Sequence, residues 1–433
     1  MSRSVHALIL KFGLVQAGIS AISGMIAPII FLLFMSKGIE LHEMGILLAV
    51  ATISTVVLEV PFGALADRYG RKKTFIAGEL ILLFVVIGFW WSSSFAELIV
   101  FMILNGLSIA LFSGTIDALF VEQFNVVSRD GETNLMEAQA SVNIFQMIGL
   151  AVGAVFSGLI PVWFSFVSDS YDSIGFYEVG FVFLVPLILI HMLCTFYFVG
   201  ESESMGEPVG SNFFREVHST IKSAFDVIVE NPVFKPLLLI DFISGVAFIS
   251  LEQLWQPMLS TLVDSKESLW LFGILFALNY VCMAVGQGCS IPLSRVFKNN
   301  YSNMLLVLEF CTGLLFFIFA IQSDLYGFIV VYLLLHVVVG ISMAPGSAMF
   351  HEKIPESRRS TILSVKSLIA QGGATAGALV AGYTAHYFSI SIAWSIAGFV
   401  FIISSFLYLL PSISNLSKDM AIVLNKRFQP QPE

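Results

Sequence analysis

The run Gly63-Ala64-Leu65-Ala66-Asp67-Arg68-Tyr69-Gly70-Arg71-Lys72-Lys73-Thr74-Phe75 sets one acid and four bases between two long apolar stretches. A turn this tight needs backbone freedom that most residues lack, so Gly70 permits the turn and Gly63 permits close approach of a neighbouring helix. Asp67 lies one turn after Gly63 on the same helical face, while Arg68, Arg71 and Lys72 follow where the chain leaves the apolar layer. Opposite charges so placed can form a latch that a moderate driving force opens. A second group of ionisable residues lies inside apolar runs: Glu59, Glu79, Asp117, Asp241, Glu252 and Glu309, with His191 and His336. Burying such groups in lipid costs several kcal/mol unless they face protein or water, so each is a candidate for carrying a proton or binding a substrate.

These residues are held by a chain that is 57% hydrophobic and only 12% charged over 433 residues. Soluble globular chains carry about 25% charged residues, so this composition points to a membrane protein. Apolar stretches of about 20 residues, the length that crosses a bilayer, fall near 12-36, 43-66, 74-94, 97-121, 139-165, 176-199, 235-261, 268-293, 302-321, 325-349, 361-386 and 390-411. The expectation is an all-α integral membrane protein with twelve transmembrane helices. Of the 21 Lys and Arg residues, only Lys37 and Lys266 fall in connections on the outer side when the chain starts inside. That asymmetry places both termini in the cytoplasm and the chain, multi-pass, in the cell inner (plasma) membrane. The apolar start after Met1 has no small-residue cleavage site and reads as a retained first helix.

The longest hydrophilic segment divides the helices six and six. The expected organisation is a bundle at 1-199, a cytoplasmic linker at 200-232, a second bundle at 233-412 and a cytoplasmic tail at 413-433. Within the linker, Phe213, Phe214, Val217, Ile221, Phe225 and Ile228 recur at helical spacing, the pattern of an amphipathic helix on the inner membrane surface. An internal repeat relates the halves. Gly149, Gly153, Ala154, Ser157 and Gly158 recur at one offset as Gly373, Gly377, Ala378, Ala381 and Gly382, and Ala118-Leu119-Phe120 recurs as Ala348-Met349-Phe350. Small residues four apart let membrane helices pack closely, and their recurrence in corresponding helices indicates duplication of a six-helix unit.

Gly63, Leu65, Ala66, Asp67, Arg68, Gly70, Arg71 and Lys72 match the pattern G-x-L-A-D-R-x-G-R-K, and the stretch resembles the signature loop of the major facilitator superfamily of secondary transporters. The resemblance implies two pseudo-symmetric six-helix bundles around a central cavity lined by helices 1, 2, 4, 5, 7, 8, 10 and 11, with helices 3, 6, 9 and 12 in support, so that Glu79, His191 and Glu309 are expected as packed or interhelical polar residues. The glycines of helix five also resemble, in part, the antiporter motif of facilitator-type drug exporters. Ala154 stands where that motif has proline, and Ser157 replaces one of its glycines. Helix four lacks the arginine that such exporters commonly carry between Ile99 and Asn105.

On this reading Glu252, in Glu252-Gln253-Leu254-Trp255-Gln256-Pro257, is the leading candidate for binding substrate or proton, with Glu59 and Asp241 nearer the cytoplasmic ends of their helices. His336 has a side chain suited to proton exchange. Asp117 and Glu122 lie where they can pair with Arg68 or Arg71 as parts of the gate. No lysine or arginine is expected near mid-membrane, so the acids would be neutralised by protons or by cationic or zwitterionic ligands. No G-x-x-x-x-G-K-[ST], H-E-x-x-H, C-x-x-C or G-x-S-x-G occurs, and Cys194, Cys282, Cys289 and Cys311 all lie in apolar runs, so neither an enzyme nor a metal or cofactor is expected. The expected partners are a small-molecule substrate, protons as coupling ion and the lipid bilayer, with no nucleic acid and a monomeric chain. The leading expectation is proton-coupled efflux of a drug-like or toxic compound. Uptake of a small nutrient is the alternative, and a non-transporting receptor or scaffold is a third.

Overall fold

The computed structural model describes residues 3–128, 134–167, 175–201, 228, 231–354 and 359–427. Their order is α1 (Arg3–Ile26), α2 (Ile30–Ser36), α3 (Leu41–Tyr69), α4 (Arg71–Trp91), α5 (Phe95–Phe112), α6 (Thr115–Val127), α7 (Leu135–Val167), α8 (Glu178–Phe198), α9 (Phe234–Leu262), α10 (Leu269–Val296), α11 (Tyr301–Ala320), α12 (Leu325–His351), α13 (Arg359–Tyr387), α14 (Ile390–Ser405), a 3₁₀ turn (Phe406–Leu409) and α15 (Pro411–Arg427). No strand occurs among the described residues.

Among the described residues, eleven spans are long and apolar enough to cross a membrane. The twelfth is α13, whose 29 residues exceed the required length but include Lys366, Gln371 and a series of glycines that dilute its hydropathy. Two spans are broken. Pro28, which has no N–H to donate and clashes with the preceding turn, lies between α1 and α2. Gly114, with φ +68°, separates α5 from α6. Polar residues stop fraying where helices begin: Ser94 accepts from Glu97 N, Asp324 from Gly327 N and Ser389 from Ile392 N, satisfying amides that have no partner within the helix.

The chain divides into two compact units, residues 1–211 with 263–277, and 212–262 with 278–433. In the first, α1 and α7 pack backbone to backbone. A Cβ on Gly149 would lie 2.1 Å from Ala17 O, and one on Gly153 would lie 2.0 Å from Ala21 O. A Cβ on Gly158 would lie 2.5 Å from Leu269 O. The second unit repeats the arrangement between α9 and α13, where Gly373 and Gly377 would place a Cβ 2.1 Å from Phe242 O and 2.2 Å from Val246 O. Gly382, farther along α13, is buried. Gly149 and Gly153 in the first unit and Gly373 and Gly377 in the second therefore make corresponding helix contacts.

One sequence expectation is refined here and another falls outside the described residues. The segment expected as a tail is, in its described part, helix α15, and its apolar face joins the core. Ile413, Leu416 and Met420 pack with Val233, Phe234, Leu305 and Tyr408, and Ser417 Oγ donates to Asn300 Oδ1 at 2.9 Å while accepting from Ser302 N at 2.9 Å. The reason is its amphipathic spacing, which a polar mean composition hides. The expected linker at 200-232 lies almost wholly outside the described residues.

Candidate functional site

The charged hairpin of the first unit turns on a single residue. Gly70 ends α3 and precedes α4 with φ +105° and ψ +135°, a conformation that an L side chain rarely adopts. Arg71 begins α4, and its Nη1 lies 2.7 Å from Glu122 Oε1 on α6. Lys72 turns the other way: its Nζ donates to Phe196 O at 2.6 Å and lies 4.8 Å from the centre of the Phe196 ring at the end of α8. Its backbone N–H donates to Glu201 Oε1 at 3.1 Å. Glu201 thus places negative charge at the amino end of α4, where the helix dipole favours it. The sequence expectation took Glu201 only as the start of a linker; an acid shortly after an apolar helix carries no pattern that points to a partner so far back in the chain.

Other parts of the expected gate differ. Arg68 is exposed and lies over the ring of Tyr69 at 5.3 Å. Asp117 joins no arginine among the described residues; its Oδ1 accepts from Gln16 Nε2 at 2.9 Å and from Gln139 Nε2 at 3.4 Å. Amides from α1 and α7 meet it because the break at Gly114 sets the opening turn of α6 facing those helices. At Gly63 an added Cβ would meet nothing within 4 Å, so the close helix approach expected there is not made among the described residues. The side chain of Asp67 lies outside the described residues. Glu59 accepts from Ser113 Oγ at 2.7 Å, so the break between α5 and α6 supplies its partner.

Deeper in the same unit, Glu79 is fully buried and bonds His191 Nδ1. The other ring nitrogen of His191 lies 2.9 Å from Val15 O. Gly18 makes room, since a Cβ there would lie 2.3 Å from His191 Cδ2.

The second unit contains a comparable pair. His336 is 1% exposed; its Nδ1 lies 2.8 Å from Tyr332 O and its Nε2 lies 3.4 Å from Glu252 Oε1. A carbonyl oxygen only accepts, so Nδ1 carries a hydrogen, and a hydrogen bond between Nε2 and Glu252 requires one more proton on either partner. The ring nitrogen that the carbonyl leaves open therefore faces the Glu252 carboxyl. Phe248 and Tyr332 flank the imidazole, and Asn279 Nδ2 donates to Tyr332 Oη at 3.2 Å. Sequence reasoning singled out both Glu252 and His336, but nothing in their spacing showed that they meet.

Asp241 departs from expectation. Lys366 Nζ on α13 lies 3.7 Å from Asp241 Oδ2, so this acid has a fixed base beside it. Lys366 reaches it by laying its stem and ammonium across the Phe350 ring at 4.8 Å, as long basic side chains do. Both line a cavity of about 410 Å³ with Ser244, Glu309 and Tyr408. Glu309 is separated from Glu79 by the same offset that relates Ala118 to Ala348, so two buried acids occupy corresponding sites in the repeat. That offset is a signal in the sequence that could have paired Glu309 with Glu79.

The model of the Major Facilitator Superfamily matches residues 12–335. The chain belongs to that superfamily. Within it, a Bacillus subtilis (strain 168) protein named uncharacterized MFS-type transporter YxaM is 22% identical over 407 residues, covering 94% of this chain and 96% of the relative. Among superfamily structures, a point mutant of the nucleoside transporter NupG aligns with a TM-score of 0.77 at 12% identity, over 93% of this chain and 99% of that one. A bacterial homolog of the human lysosomal transporter Spinster, in an inward-facing and occupied conformation, aligns with a TM-score of 0.68 at 12% identity, over the full length of both chains. The solved structures show the same fold, twelve helices in two bundles, and the superfamily match makes the chain a multi-pass membrane transporter.

Proposed function

We propose that this chain is a proton-coupled transporter that exports a small, somewhat apolar compound by alternating access, and is not an enzyme. The observation that carries the reading is the Glu252–His336 pair. With Nδ1 committed to the Tyr332 carbonyl, Nε2 faces the Glu252 carboxyl inside the membrane layer, the arrangement a coupling group needs. The charged hairpin acts as the cytoplasmic gate, in which Arg71 and Glu122 separate and rejoin during the cycle. The distribution of bases supports a plasma-membrane protein with both termini inside, and the chain acts as a monomer.

The test uses everted vesicles from cells with and without the chain, loaded by a compound to which a deletion strain is sensitive. Accumulation is expected to fall when the pH gradient is collapsed, and Glu252→Gln is expected to abolish the gradient-dependent part. Transport that continues unchanged without a gradient would overturn the proton coupling. Uptake is the second reading, drawn from the likeness to NupG, whose name describes nucleoside transport. Accumulation in whole cells, with none in everted vesicles, would select it.

A further inference from the structure

The cavity of the second unit lies between α9, α11, α12, α13 and α14. Its ionisable lining consists of Asp241, Glu309, Lys366 and Tyr408. Asp241 and Lys366 offset each other's charge. Glu309, on α11 and 8% exposed, is different. Its Oε1 accepts from Ser404 Oγ on α14 and from Ser244 Oγ on α9, the latter at 3.3 Å, and the Tyr408 side chain bonds the same carboxyl. Hydroxyl groups satisfy oxygen lone pairs but bring no positive charge. A buried carboxylate without a counter-charge is costly, so Glu309 must hold either a proton or a cation from outside.

The space beside it is far larger than a proton or a bare metal ion needs. The remaining walls include Ile240, Phe248, Leu305, Val339, Met343 and Phe401. A cavity of this size, apolar over most of its wall with a few convergent polar groups, suits a small organic molecule.

We propose that this cavity binds a small organic monocation, a protonated amine whose ammonium group sits on Glu309 and whose apolar body lies against Phe248, Met343 and Phe401. One free negative charge matches one positive charge, and the nearby Lys366 ammonium disfavours a dication. Charge balance has a consequence. In the empty cavity Glu309 holds a proton, and an arriving ammonium displaces that proton to solvent. The inference names a substrate class for the export proposed above and rests on that reading for its role in transport.

The experiment uses the purified full-length protein in detergent, with benzylamine as the probe and benzyl alcohol as its uncharged isostere, near neutral pH in weak buffer. Benzylamine is expected to raise the unfolding temperature and to release about one proton per molecule bound, read by an indicator dye. Benzyl alcohol is expected to do neither. Glu309→Gln keeps partners for Ser244 and Ser404 but cannot carry the charge, so amine binding should weaken about tenfold or more and proton release should vanish. Asp241→Asn supplies a second arm that leaves Glu309 in place. It frees Lys366 to become the internal counter-ion of Glu309, and amine binding should again weaken. Equal binding of amine and alcohol, proton release that persists in Glu309→Gln, or amine binding unaltered in Asp241→Asn would each overturn the proposal. Binding needs no gradient and no translocation. Amine binding without gradient-driven transport therefore sinks only the proposed function, whereas gradient-driven transport without amine binding sinks only this site.

Discussion

Arg71 Nη1 lies 2.7 Å from Glu122 Oε1, joining the first residue of α4 to the second half of α6. Both side chains are partly exposed, so the pair contributes little to stability. Its expected contribution is to the balance between transporter conformations. Glu122→Gln is expected to lower transport about five- to a hundredfold, the range of ordinary conformational coupling, while the amount of protein in the membrane stays constant. The exchange Arg71→Glu with Glu122→Arg should restore part of the activity. Failure of the exchange to recover more than either single variant would remove this pair from the gate.

Glu252→Gln isolates the proton from the hydrogen bond. The amide of the substituted side chain can donate to His336 Nε2, so the ring stays fixed by the Tyr332 carbonyl while the exchangeable proton is gone. The expected outcome is an unchanged unfolding temperature with transport that no longer responds to a pH gradient, measured in proteoliposomes by varying inside and outside pH. A pH response equal to that of the parent protein would show that the coupling proton is held elsewhere.

The Glu79–His191 pair is buried on both sides and is expected to matter for folding. His191→Ala leaves the carboxyl of Glu79 without its partner, and should destabilise the first unit by about 3–5 kcal/mol. Glu79→Gln with His191 retained should be much milder, because an amide can still donate to Nδ1. Thermal unfolding in detergent checks the order of the two.

The glycines separate contact from sequence pattern. Gly153→Ala and Gly377→Ala each set a methyl group against a backbone oxygen at about the centre of a helix pair. Each should lower the unfolding temperature by several degrees, as overpacking by about 1–3 kcal/mol does. Gly63→Ala should be neutral or stabilising by up to about 1 kcal/mol, since the added methyl meets open space and alanine favours helix. Gly70→Ala is expected to be the most harmful of the four, with positive φ and the Glu201 carboxylate both in the way.

Hydropathy and the distribution of bases determined the twelve spans, because the bilayer imposes a length and a charge asymmetry that are written directly along the chain. The recurring glycines determined which helices pack most closely, since close backbone approach admits few residue types. Gly70 was equally legible, for a tight turn between two long helices requires an unusual φ. Partnership was decided only in three dimensions. Glu252 meets His336, Asp241 meets Lys366 and Glu309 meets Ser404 across large sequence separations, and each meeting depends on the rotation and depth of whole helices. A spacing of 3.6 residues per turn tells which side chains share a face, but not which face of another helix lies opposite. For that reason the sequence revealed that buried acids were present, while the tertiary structure alone decided which had a fixed base, which met a histidine and which lay open to a cavity.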